Sequence, residues 1–114
     1  MFIIVRKGST FFGRIELTDR DQNGILLDET DKLIFTVRKG YYSEQEGDPL
    51  IKKVITPDRQ IEGGYCFELT PEETDLPPDT YYYDIGVQCE NGEFYHIDMI
   101  DEFIINPSVS RKED

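Results

Sequence analysis

The segment Asp19-Arg20-Asp21-Gln22-Asn23-Gly24 sets oxygen-bearing side chains at alternate positions ahead of a glycine. This is the opening pattern of a calcium-binding loop, in which hard oxygen ligands converge on one cation. Asp19, Asp21 and Asn23, with Asp28 downstream, form the candidate metal-ligand set. Such a loop needs a bidentate acid at its twelfth position, but counting from Asp19 that position is Thr30, and Glu29 falls one residue early. The segment before it alternates like a strand, where a calcium loop of this kind is entered from a helix. Asx turns, with Asn23-Gly24 supplying a positive φ, account for the same residues as a hairpin tip. The segment is therefore read as a chain reversal, with ion binding as the alternative.

The other reactive side chains are scattered. His96 is the single histidine, in Phe94-Tyr95-His96-Ile97-Asp98, where alternation sets His96 and Asp98 on the outward face. Ser9, Ser43, Ser108 and Ser110 have no nucleophile-elbow context. Cys66 and Cys89 lack the spacing of a zinc site. Cys66 lies between the inward Tyr65 and Phe67, while Cys89 falls in the inward phase of Val87, so the two thiols are ill placed for a disulfide. Gly63-Gly64 opens a strand with no helix behind it, unlike a phosphate-cradling loop. These residues lead to the expectation of a chain that is not an enzyme and takes no cofactor.

The elements that would position them read almost entirely as strands. Phe11, Ile15 and Leu17 share one face, as do Leu33, Phe35 and Val37. Tyr65, Phe67 and Leu69 repeat the pattern, followed by Tyr81, Tyr83, Ile85 and Val87. Phe2–Val5 and Ile25–Leu27 are shorter apolar runs. Leu50–Thr56 reads as an edge strand, because Lys52-Lys53 discourages pairing with other chains. Phe94–Ile105 reads as one strand interrupted near Ile100-Asp101-Glu102. Thr70-Pro71-Glu72-Glu73 is a capping box that predicts a short helical turn near 71–75, stopped by Pro77-Pro78. Leu76 to Tyr83 resembles the corner entering a late sandwich strand, where a buried tyrosine hydroxyl ties back to loop backbone.

The fold expectation is all-β: an antiparallel, immunoglobulin-like β-sandwich of seven or eight strands over residues 9–107. Residues 1–8 are expected as an N-terminal strand or arm and residues 108–114 as a flexible tail. The chain of 114 residues carries 24 acidic and 12 basic side chains, a net charge of −12. That balance disfavours nucleic-acid binding. Phe2-Ile3-Ile4-Val5 is too short for a secretion signal or a membrane span, so synthesis in a cytoplasm is expected, with no membrane partner.

Several runs together carry a family resemblance. They are Thr10-Phe11-Phe12, Asp21-Gln22-Asn23-Gly24, Asp31 to Arg38, Leu50 to Lys53, the long run Leu69 to Ile85, Asn91-Gly92 and Phe103-Ile104-Ile105. In these the chain resembles small β-sandwich structural proteins of phages and prophages of Gram-positive bacteria, in the style of baseplate upper protein N-terminal domains. It departs from that pattern at Pro78-Asp79, where a Pro-Gly pair is more usual. The resemblance implies a virion-associated tail, baseplate or fibre module working through protein contacts, with other virion components or with itself as a homo-oligomer. The expected interaction residues are Phe2, Ile3, Ile4 and Val5, as an arm detached by Lys7-Gly8-Ser9 that adds to a neighbour's sheet. Tyr41 and Tyr42 join them from the loop 40–49. The alternative expectation is a carbohydrate- or calcium-dependent adhesion domain, with Phe12 and Tyr82 among its loose aromatic candidates.

Overall fold

The computed structural model describes residues 2–18, 21, 24, 26–40, 49–97 and 100–113. Among them are nine strands: β1 Ile3–Arg6, β2 Phe11–Ile15, β3 Lys32–Arg38, β4 Ile51–Ile55, β5 Gln60–Ile61, β6 Gly64–Leu69, β7 Asp79–Gln88, β8 Phe94–His96 and β9 Asp101–Asn106. They form two sheets. The larger runs β1-β9-β7-β3-β4, with β8 also paired to β7, and the smaller runs β2-β6-β5. This is the sandwich-like all-β fold that the alternation predicts. In immunoglobulin terms β2, β6 and β5 take the B, E and D places, and β3, β4, β7 and β9 take C, C′, F and G.

Alternation drives the layering. Leu33, Phe35 and Val37 of β3, Tyr65, Phe67 and Leu69 of β6, and Tyr81, Tyr83 and Ile85 of β7 are all buried in one core. Phe35 stands at its centre, 4.8 Å from the ring of Phe67 across the sheets and 5.3 Å from Tyr83 beside it. Burying side chains of this size contributes about 1.5–3 kcal/mol each. Gly13 is required in β2 because a Cβ there would collide with the Phe67 ring.

Two expectations are corrected at the N-terminus. β1 is not a detached arm: it pairs with β9 of its own chain, Ile3 opposite Phe103 and Val5 opposite Ile105, and Val5 is buried in the core. This pairing is parallel, so the larger sheet is mixed rather than antiparallel. The whole domain serves as the crossover that a parallel pair needs. Pairing in cis wins because it satisfies the β1 backbone and buries Val5 without any entropy of association.

The interrupted strand resolves into β8 and β9 along one edge of β7. Gly86 faces His96 and Tyr83 faces Asp101. β9 keeps Phe103 and Ile105 facing inward. Before it, Asn91-Gly92 turns the β7–β8 hairpin, with Gly92 at φ 89°.

The segment 70–75 forms the capping box without propagating into a helix. Glu73 N–H donates to Thr70 Oγ1 at 3.2 Å, and Thr70 N–H donates to Glu73 Oε1 at 2.9 Å. The Thr70 carbonyl also accepts from Glu73 N–H at 3.0 Å and Thr74 N–H at 3.1 Å, the single helical turn expected here, and a 3-10 turn stands at Pro57–Arg59. Thr74, fully buried, donates its hydroxyl to the Ser9 carbonyl at 2.7 Å and fastens this turn to the β1–β2 connection. Ser108 begins the expected loose tail, yet its hydroxyl donates to the Lys7 carbonyl at 2.8 Å. Among the described residues no helix is long and apolar enough to cross a membrane.

Candidate functional site

Among the described residues, those singled out for chemistry do not converge. Asp19 and Asn23 lie outside the described residues, as do Tyr41, Tyr42 and Asp98. Thr18 and Gly24 form an antiparallel bridge, which closes the segment between them as a reversal. Gly24 itself has no positive φ; among the described residues the left-handed glycines are Gly8, Gly63 and Gly92. The backbone N–H of Asp28 is held by the Asp31 carboxylate at 3.1 Å, a local turn. Among the described residues no three His, Cys, Asp or Glu side chains are grouped to hold a metal ion.

His96 is exposed, its Nε2 3.5 Å from the Asp84 carboxylate, and its ring meets Phe94 edge-on at 5.1 Å. Phe94 lies over Gly86, where a Cβ would collide with its ring. Both cysteines are free. Cys66 Sγ donates to the Arg59 carbonyl at 3.3 Å. The Cys89 thiol is pushed up by burial and then by the negative field of Asp31, Glu93 and Asp28, which makes it a poor nucleophile at neutral pH. Tyr81 is buried and donates its hydroxyl to the Pro77 carbonyl at 2.6 Å, the corner bond expected from the sequence, and burial raises its pKa. Tyr82 is half-buried rather than displayed.

What the fold does assemble is an apolar groove of about 790 Å³. It opens where the first strand of each sheet, β1 in the larger and β2 in the smaller, ends its sheet. Phe2 and Ile4 line one side and Phe12, Arg14 and Leu26 the other, while its floor reaches Phe35, Phe67 and Ile85. The lip is unusually apolar for a surface: Phe12 is 76% exposed, Leu26 68% and Phe2 55%. Of the expected interaction residues, Phe2, Ile3 and Ile4 line this groove, whereas Val5 is consumed by the core.

Leu26, Ile97 and the free edge of β2 were not legible as a site, because they come from three separate parts of the chain. The Phe11-Phe12 doublet was the available signal, since alternation must turn one of the two rings outward. Compared with known proteins, the chain matches no family model, and no curated protein matches it.

Proposed function

We propose that the chain is a non-enzymatic structural or assembly module of a phage or prophage particle, associated with the tail, baseplate or fibre, that acts through protein–protein contacts. The observation that carries the contact-making part is the exposed apolar lip of Phe2, Ile4, Phe12 and Leu26 around an open-sided sandwich. An apolar surface of this kind is stabilised by cover from another protein. The runs from Thr10 to Ile105 that resemble phage sandwich proteins supply the virion part of the reading.

Particles induced from the strain carrying the gene test it. Gradient-purified virions should contain the chain at a fixed ratio to the major tail protein, measured by quantitative mass spectrometry. A chain found only in the particle-free fraction overturns the virion role.

A further inference from the structure

The free strand edges differ in how they are guarded. β4 is blunted by Lys52 and Lys53, and β5 is only two residues long. β1 has four residues and ends in Arg6. β2 offers five, Phe11-Phe12-Gly13-Arg14-Ile15, with no proline and no lysine, and Arg14 is already engaged by Glu16 at 2.8 Å. Its outer edge is the place that the A strand fills in the four-stranded sheet of an immunoglobulin sandwich. The groove lies against that same edge, so a strand added there would gain both main-chain hydrogen bonds and apolar burial.

We propose that β2 and its groove receive an extended strand from a partner protein, with alternate apolar side chains entering the groove and basic residues at its Leu27 end. The inference rests on the reading of the chain as a contact-making module. Charge selects the occupant. Asp28 and Glu29 are exposed and Asp31 lines the groove where it meets Leu27. A second copy would bring another charge of −12 to the opening, whereas a basic strand is attracted to it.

The test uses the full chain and two labelled peptides of identical composition, nine residues with blocked ends, one alternating Val and Lys and the other with the same residues in blocks. By fluorescence anisotropy the alternating peptide should bind at least tenfold more tightly. Hydrogen exchange should slow at the amides of β2, and N-methylation of alternate peptide residues should abolish binding in one of its two registers. The double variant Leu26→Asn/Ile97→Asn should weaken binding at least tenfold, while Val54→Asn, at an exposed position on β4, leaves it unchanged. Equal affinity for the two peptides, or indifference to the groove variant, overturns the proposal. Dimerisation of the chain that is lost in the groove variant also overturns it, by making a second copy the occupant. Peptide binding without particle association would leave this site standing and remove the virion role; particle association without peptide binding would do the reverse.

Discussion

At the scale of single residues, one hydroxyl anchors a long loop. The Tyr81 ring is buried, and its O–H to the Pro77 carbonyl fixes the chain where it turns from Leu76-Pro77-Pro78 into β7. Tyr81→Phe keeps the ring and leaves that carbonyl without its partner. It should cost about 1–2 kcal/mol in urea unfolding with an unchanged m-value; a loss below ~0.3 kcal/mol would show that the corner is not anchored this way. This bond was legible in advance, because a tyrosine at an inward strand position just after a proline loop has few other places to put its oxygen. The tie from Leu27 N–H to Tyr65 Oη, 2.8 Å, was not legible, since nothing local links residues 38 apart.

At the scale of elements, the edge strand β4 shows how a charge can guard and bind together. Lys53 shares the inward phase of Ile51 and Ile55, and its ammonium reaches Glu73 of the capping-box turn at 2.9 Å. Burial pushes the Glu73 carboxyl up, but the bonds from Lys53 and Thr70 together outweigh it and hold the carboxyl below its ordinary range. A folded-state pKa below the unfolded one favours the fold above about pH 4.3 and loses that contribution as pH falls through the folded value. Lys53→Met should therefore cost about 0.5–1 kcal/mol at pH 7, and the gap to the parent should narrow by about pH 3 in parallel urea melts. A gap that persists unchanged at pH 3 would assign the effect to packing instead. The sequence announced the edge through Lys52-Lys53 and the turn through Thr70 to Glu73, but not that the two meet. The turn stays a single one, because the Thr74 hydroxyl is drawn to Ser9 and Pro77-Pro78 follows too soon for a helix to extend.

At the scale of the whole molecule, period-two patterning specified two layers and the core residues of β2, β3, β6 and β7, though not Val5, Ile51, Ile55, Phe103 or Ile105. It could not specify that the larger sheet would be wider than the smaller, and that difference in width creates the groove. Nor could it specify the β1–β9 pair, because a parallel partner at the far end of the chain leaves no local signature. The pair is the closure on which the fold depends. Truncation after Ile100 removes Phe103 and Ile105 from the core and strands β1, and should abolish the cooperative thermal transition seen by circular dichroism. A sharp transition in the truncated chain would show that the remaining strands suffice.

The same pair sets an order of events during synthesis. Ile3 is made about a hundred residues before Phe103 and cannot meet it until that stretch has been translated, roughly 5–20 s later at about 5–20 residues per second. Through that interval Phe2-Ile3-Ile4-Val5 is a nascent apolar strand without its partner. Chaperones that bind short hydrophobic segments would find one in this waiting strand, and their release would be timed by the arrival of β9.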